Sequence, residues 1–343
     1  MRILIEITHP AHVHFFRNAI AEFQKRGHRV AVTAREKDVT TTLLKNFEIP
    51  FTTLSQRGRS KFALVGEMVV RDARLWNFCR KFKPDILTGI SGVFAAHVGW
   101  FIGKPVIVWD DTEIATMAHK ITYPFVTAVY SPDCYEKSFG KKHHFYPGCH
   151  ELAYLHPKRF TADAEIVKGL GINPGEKYCI IRFVSWQAHH DVGQHGFVDK
   201  QKLNFVKEIA KYATPYITSE ADLPEELKAY RLNVPAHLIH HVMAFSALYA
   251  GEGATMASES AVLGVPAVYI NTLKLGYINM LEKYGLVKQT TDTQQALKYC
   301  IDWLSDAEAK EKCRAARKKL LADKIDVTDY IMETIERTAR KLI

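Results

Sequence analysis

Residues 251–266 read Gly-Glu-Gly-Ala-Thr-Met-Ala-Ser-Glu-Ser-Ala-Val-Leu-Gly-Val-Pro, which is typical of a buried strand end, a glycine-rich turn, a helix and an exit into another strand. Such a turn leaves backbone N–H groups at a helix N-terminus, where the helix dipole favours an anion such as a diphosphate. Glu259 lies one turn into that helix, where its carboxylate can accept hydrogen bonds from sugar hydroxyls. A diphosphate beside a ribose indicates a nucleotide, and we favour a nucleotide-sugar. The alternative is a tight turn that binds no ligand.

The composition is that of a globular protein with room for two domains. The chain has 343 residues, of which 47% are apolar and 24% charged. Its net charge of +9 suits a nucleotide, a nucleic acid or an anionic membrane surface without choosing among them. The six cysteines are scattered without a Cys-x-x-Cys pair, which favours reduced thiols in the cytoplasm. Residues 1–7 read as a strand rather than as a signal peptide, and no apolar run is long enough to span a bilayer.

Strand-like and helical segments alternate along both halves of the chain. The strand-like runs are 2–7, 28–34, 85–90, 105–109 and 127–130, then 178–184, 215–219, 247–251, 266–270 and 287–290. Several lack polar alternation, as expected for strands that helices cover on both faces. The alternation predicts an α/β protein made of two Rossmann-like, doubly wound parallel-sheet domains facing a cleft. Regular patterning loosens at 140–160, so we predict an N-terminal domain over 1–157 and a C-terminal domain over 158–327.

The polar loops that follow strands are the candidate sites, because doubly wound sheets bind ligands at the carboxyl ends of their strands. The first such loop is Thr-His-Pro-Ala-His-Val-His (8–14). His9 or His12 can act as a general base or bind phosphate, since imidazole titrates near neutrality. His14 is a further candidate for contact with an acceptor substrate. The alternative is that these histidines cap the helix or pack under the phenylalanines that follow.

A second loop, Trp-Asp-Asp-Thr-Glu (109–113), carries three carboxylates in four residues. Asp110 and Glu113 can position an acceptor hydroxyl, and Asp111 can act as the base. The alternative is a helix N-terminus capped by Asp111 or Thr112, with Glu113 in the first turn. Both interpretations can hold together.

Two loops of the second half offer groups for a nucleotide. In Arg-Phe-Val-Ser-Trp-Gln-Ala-His-His-Asp (182–191), phosphate oxygens can be met by Arg182, Ser185 and His189. The His-His-Asp triplet could also bind a metal ion. Adjacent histidines point in different directions, however, and no further set of ligands has recognisable spacing, so we expect no metal. The loop His-Leu-Ile-His-His (237–241) can offer backbone groups to a flat base; alternatively it is a surface loop anchored by its two apolar residues.

Five blocks of the chain resemble a single microbial family. They are His-Pro-Ala-His-Val-His (9–14), Tyr-Leu-His-Pro (154–157), Thr-Ser-Glu (218–220) and the segments 182–191 and 251–266 quoted above. On these blocks the chain is identified as a member of the domain-of-unknown-function family numbered 354, over nearly its whole length. That family is grouped with the GT-B glycosyltransferases and the non-hydrolysing nucleotide-sugar 2-epimerases.

The resemblance implies that the first domain binds an acceptor and the second a nucleotide-sugar donor, with a last helix over 328–343 packing back on the first domain. Glu259 matches the acidic residue that holds the donor ribose in peptidoglycan-type N-acetylglucosaminyltransferases. The phosphate-facing turn is matched by Gly253, Ala254 and Thr255, and the loop that contacts the base by Leu238 and Ile239.

Two departures from the superfamily concern the first loop. The histidine-rich loop stands where the transferases have glycines, so acceptor and catalytic residues do not carry over. The Arg-Pro-Glu signature of the epimerases is also absent, which makes an epimerase the less favoured interpretation without excluding it.

The leading hypothesis is a metal-independent glycosyltransferase that uses a nucleotide-sugar as substrate and needs no cofactor. The acceptor would be a saccharide or a lipid-linked molecule in the synthesis of a cell-surface polysaccharide or glycoconjugate. The rival enzymes are a nucleotide-sugar 2-epimerase and a hydrolase, and the rival without catalysis is a nucleotide-sugar sensor or scaffold. We expect no nucleic-acid partner, because no recognition motif accompanies the positive charge.

A weak peripheral membrane contact is a smaller hypothesis. Within residues 57–65, Arg57, Arg59 and Lys61 lead into apolar residues, and this mixture can seat a loop on an anionic bilayer. The alternative, which we favour, is an ordinary basic loop before a core helix. A cytoplasmic location, with the inner face of the membrane as a variant of it, fits both.

Overall fold

The structure is a computed structural model that describes residues 1–36, 38–56, 61–184, 199–219 and 222–340. Its strands are β1 (Arg2–Ile7), β2 (Arg29–Glu36), β3 (Phe51–Gln56), β4 (Ile86–Ile90), β5 (Val106–Trp109), β6 (Ala128–Pro132), β7 (His143–Tyr146), β8 (Tyr178–Phe183), β9 (Thr214–Ser219), β10 (Leu248–Gly251), β11 (Ala267–Ile270) and β12 (Val287–Thr290). Its α-helices are α1 (Pro10–Lys25), α2 (Asp38–Asn46), α3 (Lys61–Phe82), α4 (Val93–Phe101), α5 (Thr116–Thr122), α6 (Ala164–Gly169), α7 (Asp199–Ile209), α8 (Ile239–Phe245), α9 (Ala254–Leu263), α10 (Gly276–Lys283), α11 (Thr293–Ser305), α12 (Ala309–Asp323) and α13 (Val327–Arg340).

The chain divides into two compact units. The first combines Met1–Tyr154 with Ile325–Ile343, and the second is the continuous segment Leu155–Lys324. The last helix, α13, therefore belongs to the first unit, where the Thr328 hydroxyl donates to the carbonyl of Ala153 at 2.6 Å.

The sheet of the first unit has the strand order β3-β2-β1-β4-β5-β6-β7, and every neighbouring pair is parallel. Its central strands are apolar on both faces because helices cover both: Ile3, Leu4 and Ile5 are fully buried. The chain reverses its direction of winding between β1 and β4, which places the loops after these two strands beside each other at the carboxyl edge.

The sheet of the second unit has the order β12-β11-β10-β8-β9 and is also parallel throughout. Its winding reverses between β8 and β10. The predicted pair of doubly wound parallel sheets is thus confirmed, and the reversal point of the second sheet lies where the segment 251–266 begins.

Two strands of the first sheet were missed by the sequence prediction, β3 (Phe51–Gln56) and β7 (His143–Tyr146). Both lie at the edges of the sheet, and residues 51–53 and 144–145 are half-buried or exposed. An edge strand needs no continuous apolar run, so its sequence carries a weaker signal than that of a central strand.

A 3₁₀ helix, Glu225–Tyr230, follows Pro224. The longest of the described helices, α3, has 22 residues and includes charged residues along its length. Among the described residues, no helix combines the length and the apolar character needed to cross a membrane.

Candidate functional site

The turn between β10 and α9 is shaped by two glycines. A Cβ on Gly251 would lie 2.4 Å from the carbonyl oxygen of Arg182, so only glycine lets β10 lie this close to β8. Gly253 is the N-cap residue of α9 and brings no side chain to the N–H groups of the first turn. Those groups point out of the helix end, where they favour an anion.

Hydrogen bonds hold this turn in place. The hydroxyl of Tyr249 donates to the carbonyl of Gly253 at 3.0 Å, and the amide of Asn271 donates to the carbonyl of Glu252 at 3.0 Å. The carboxylate of Glu252 accepts from the backbone N–H of Val184 at 2.9 Å, which ties the turn to the end of β8. The helix N-terminus is therefore fixed before any ligand arrives.

Arg182 brings a second positive group to the same place. Its backbone pairs with Gly251 across the sheet, and its Cγ would lie 3.4 Å from a Cβ on Gly253. Burial raises the pKa of the Tyr249 hydroxyl, and the positive charge of Arg182 opposes that rise. The guanidinium and the helix dipole act together on any anion bound there.

Glu259, on the second turn of α9, is almost fully buried and lies beside His240 of α8. Its Oε1 is 2.9 Å from His240 Nε2. The contact brings the segment around Leu238 and Ile239 to α9, since Leu238 ends a 3₁₀ helix and Ile239 begins α8. Both apolar residues are half-buried. The described residues that were predicted to bind the diphosphate, the ribose and the nucleobase thus all lie in the second unit.

In the first unit, the equivalent helix N-terminus is that of α4, and its N–H groups already bind a side chain of the protein itself. At the reversal point between β1 and β4, the carboxylate of Glu6 accepts from the backbone N–H of Ala95 in the first turn of α4 at 3.0 Å. Arg71 donates to the other oxygen of Glu6 at 3.2 Å, and both side chains are buried. Burial raises the pKa of Glu6, and Arg71 opposes the rise. An internal carboxylate thus satisfies the helix end that a diphosphate would need.

The three histidines of the first loop have different surroundings. His9 is the N-cap residue of α1, and its Nδ1 accepts from the backbone N–H of Ala11 at 3.3 Å. His14 is 6% exposed and stacks on Tyr154 with 5.3 Å between ring centroids. His9 therefore fits the capping alternative, and His14 is packed against Tyr154. His12 lies between them in sequence, with Nδ1 3.4 Å from the backbone nitrogen of Thr8.

Asp111 joins His12 in a charged cluster that includes a residue the sequence did not suggest. His150 Nδ1 lies 3.1 Å from Asp111 Oδ2. Burial opposes the charged form of Asp111, but the charge and hydrogen bond of His150, with a further contribution from His12, hold its pKa below the ordinary value. Burial likewise acts against a charged His150, and Asp111 outweighs it, so the pKa of His150 is raised.

His150 escaped the sequence analysis because it follows β7, the edge strand that was also missed. It begins a 3₁₀ helix, His150–Ala153, and packs against Phe15 with 4.4 Å between ring centroids. A histidine in a short irregular segment carries no periodic signal, and the adjacent Tyr-Leu-His-Pro block (154–157) was the only hint nearby.

The other two acidic candidates of the second loop are buried. Asp110 accepts from the N–H of Thr112 at 2.8 Å and from the Tyr123 hydroxyl, and its Oδ2 lies 2.8 Å from His119 Nε2. Glu113 is 7% exposed. The predicted helix N-cap at 111 or 112 is wrong, because α5 begins only at Thr116, and the Asp110 side chain forms a turn there instead.

Two predicted donor-binding residues, Ser185 and His189, lie outside the described residues, as do Arg57 and Arg59 of the proposed membrane contact. Within the described ranges, no group of three His, Cys, Asp or Glu side chains is placed to hold a metal ion.

Two parallel-sheet α/β units of this kind define the class of protein as one with the GT-B fold. Within that class, the chain belongs to the family described as "protein of unknown function (DUF354)", whose family model matches residues 1–339. An uncharacterized protein of Methanocaldococcus jannaschii is 24% identical over 329 residues, which cover 88% of this chain and 91% of that protein.

Solved structures of epimerases and glycosyltransferases share the fold. The UDP-GlcNAc 2-epimerase from Neisseria meningitidis, bound to UDP-GlcNAc, matches with a TM-score of 0.71 at 15% identity, covering 98% of this chain and 100% of that chain. A glycosyltransferase of Streptomyces sp. SF2575, complexed with thymidine diphosphate, matches with a TM-score of 0.65 at 13% identity, covering 97% and 99%. At these identities the likeness establishes the fold.

Proposed function

We propose that this protein is a metal-independent glycosyltransferase that moves a sugar from a nucleotide-diphosphate sugar to an acceptor hydroxyl. The second unit binds the donor. The diphosphate lies at Gly253, Ala254 and Thr255 with Arg182, the ribose at Glu259, and the nucleobase at the segment before α8. The first unit supplies the catalytic base and the residues that contact the acceptor. The six cysteines are free thiols, which supports a reaction in the cytoplasm.

The observation that carries this assignment is the contrast between two helix ends at equivalent places. Both helices have a glycine at the N-cap, Gly92 in α4 and Gly253 in α9. The carboxylate of Glu6 accepts from a first-turn N–H of α4, whereas the carboxylate of Glu252, in the turn before α9, accepts from Val184, and Arg182 lies beside that turn. A diphosphate at the first place would have to displace a buried carboxylate from the helix N–H groups, whereas at the second those N–H groups and Arg182 would act on it together. This contrast favours the second unit as the donor unit.

The chemistry follows from where charge develops. The acceptor oxygen attacks the anomeric carbon, the bond from that carbon to the diphosphate oxygen breaks, and the electron pair leaves with the diphosphate. The α9 N-terminus and Arg182 stabilise this negative charge. The acceptor proton passes to His12, and the Asp111 carboxylate stabilises the resulting imidazolium. His9 is a weaker candidate for the base because it caps α1, and so is Asp111 because its lowered pKa makes it a poor base.

The test is isothermal titration with nucleoside diphosphates of all common bases. We expect at least one to bind, and Arg182→Gln to weaken that binding by about tenfold, because a charged hydrogen bond to phosphate is lost. Lys288→Gln is the matched control, since Lys288 is an exposed cation of the same unit on β12. If no nucleoside diphosphate binds, the donor assignment fails.

A nucleotide-sugar 2-epimerase is the second candidate, favoured by the TM-score of 0.71 to the Neisseria meningitidis enzyme. An epimerase needs no acceptor, so incubation with each nucleotide-sugar alone separates the two activities. Conversion of the sugar without an added acceptor would support the epimerase, and turnover only with a saccharide or lipid-linked acceptor would support the transferase.

A further inference from the structure

The outer side of α3 and the end of α4 expose large apolar side chains to solvent. We name this surface the aromatic face and define it by Val69, Val70, Trp76, Trp100 and Phe101. Trp100 is 62% exposed and Phe101 68%. Exposed apolar side chains usually occur singly, and a group of them marks an interaction surface.

The two helices that carry the aromatic face, α3 and α4, pack against each other in the first unit. Trp76 and Phe101 are in edge contact with 6.2 Å between ring centroids, which joins α3 to α4. Trp100 makes a similar contact with Phe125 at 5.4 Å. On α3, Val69 and Trp76 lie two turns apart on one exposed side of the helix, and the exposed Val70 is adjacent to Val69 in sequence.

Positive charge surrounds the aromatic face. The Arg80 guanidinium lies over the ring of Trp76, 5.1 Å from its centroid. The Lys142 ammonium donates to the carbonyls of Pro124 and Val126 on either side of Phe125, at 3.2 and 2.8 Å. Three further exposed lysines follow the two helices or end α3, namely Lys81, Lys83 and Lys104.

Positive residues outnumber negative ones along the same part of the chain. Between residues 67 and 104 the chain has six Lys or Arg and three Asp or Glu, and one of the six, Arg71, is buried against Glu6 and adds no charge to the surface. Asp72 lies 3.1 Å from His97 and Asp85 lies 3.9 Å from Arg2, so each of these two carboxylates faces a cationic or imidazole partner. The rim of the aromatic face, formed by Arg80, Lys81, Lys83, Lys104 and Lys142, therefore carries a net positive charge.

We propose that the aromatic face seats this protein on the surface of an anionic lipid bilayer. Tryptophan and phenylalanine side chains enter the region between headgroups and acyl chains, and the Lys and Arg rim pairs with lipid phosphates. A second copy of this chain fits the surface poorly, because a two-fold contact through this face would set one cationic rim against the other. The proposal does not depend on which reaction the protein catalyses.

The test is co-sedimentation of the full-length protein with vesicles of phosphatidylcholine and phosphatidylglycerol in equal parts, and with phosphatidylcholine vesicles alone. We expect binding to the first and at least about tenfold weaker binding to the second. Trp100→Ser/Phe101→Ser and, separately, Arg80→Glu should each reduce binding to the anionic vesicles by about tenfold. Tyr212→Ser, which removes an aromatic 40% exposed in the second unit, should leave binding unchanged.

Brominated lipids give an independent readout, because they quench only tryptophans that enter the bilayer. Quenching should be seen in the wild type and be reduced in Trp100→Phe, which keeps an apolar side chain. Equal binding to both kinds of vesicle, or no binding to the anionic ones, would overturn the proposal. So would a wild-type dimer, seen by sedimentation velocity, that Trp100→Ser/Phe101→Ser dissociates.

Discussion

Asp111 shows how distant residues set the chemistry of a single side chain. Its neighbours His12 and His150 come from the first helix and from a short 3₁₀ helix, and both favour the charged carboxylate. A charged Asp111 in turn favours a protonated imidazole beside it. We infer that Asp111 acts on the reaction through His12, and that His150 keeps Asp111 charged.

Replacing His150 by Gln should lower stability by roughly 1–3 kcal/mol, because Asp111 then lacks its charged partner. Because folding raises the pKa of His150, the protonated imidazole stabilises the folded state. This contribution is complete below the ordinary pKa of 6.5 and is lost as the pH rises through the pKa of His150 in the folded protein. The lowered pKa of Asp111 gives stability that is present above 3.8 and lost as the pH falls through the folded value. The difference in stability between wild type and variant should thus be largest between pH 3.8 and pH 6.5, the ordinary pKa values of the two groups.

Thermal melts of both proteins across that pH range measure the effect of His150→Gln. The exposed His144 gives the control variant His144→Gln, which should show no such window. A stability difference that does not change with pH would mean that His150 acts only by packing against Phe15.

Glu259→Gln should weaken binding of the preferred nucleoside diphosphate by about tenfold, since a carboxylate accepts hydrogen bonds from ribose hydroxyls more strongly than an amide does. The 2′,3′-dideoxy form of the same ligand lacks these hydroxyls, so the variant should bind it as the wild type does. Titration calorimetry measures both, with Glu165→Gln as a control on an exposed carboxylate of α6 in the same unit. Equal losses for the two ligands would remove Glu259 from the ribose site.

At the scale of elements, the turn from β10 to α9 depends on how closely two strands approach. Gly251→Ala should destabilise the protein by about 2 kcal/mol, because the new Cβ meets the backbone of Arg182 and the β8–β10 pairing must open to admit it. Gly66→Ala is the control: it lies within α3, an added Cβ would meet no atom within 4 Å beyond the neighbouring turns of its own helix, and it should stabilise by up to about 1 kcal/mol. Urea unfolding measures both, and an unchanged midpoint for Gly251→Ala would contradict the steric argument.

The elements also show what a sequence can and cannot predict. Central strands such as β1 are apolar on both faces and were predicted within a residue or two, whereas the edge strands β3 and β7 were missed because solvent accepts their polar side chains. The α9 turn could be read from local glycines and a helix pattern. The Glu6 cap could not, because Glu6 and Ala95 are 89 residues apart and meet only when β1 and α4 are assembled.

At the scale of the whole molecule, the two units repeat one plan but differ in how the chain completes them. Each has a parallel sheet with one reversal point and a helix that starts there. The second unit is a continuous segment with its own apolar core, formed around residues such as Ile181, Phe205 and Val268. The first unit is completed only by the chain's last helix, α13.

This difference predicts how fragments behave. The helix α13 buries Val327, Ile331, Met332 and Ile335 almost completely. At roughly 1.5–3 kcal/mol for each side chain, their loss would remove about as much free energy as holds a typical domain folded. Residues 155–324 expressed alone should therefore melt cooperatively, whereas residues 1–154 should not.

Joining residues 325–343 to the fragment 1–154 through a flexible linker should restore a cooperative transition, because it returns the apolar face of α13 to the first unit. Circular dichroism during heating measures each transition. The matched control is the same joined fragment with Ile331→Asp and Ile335→Asp, which keeps the added length and removes the apolar contact. A cooperative melt of 1–154 alone, or equal melts for the joined fragment and its control, would show that the first unit needs no contribution from the end of the chain.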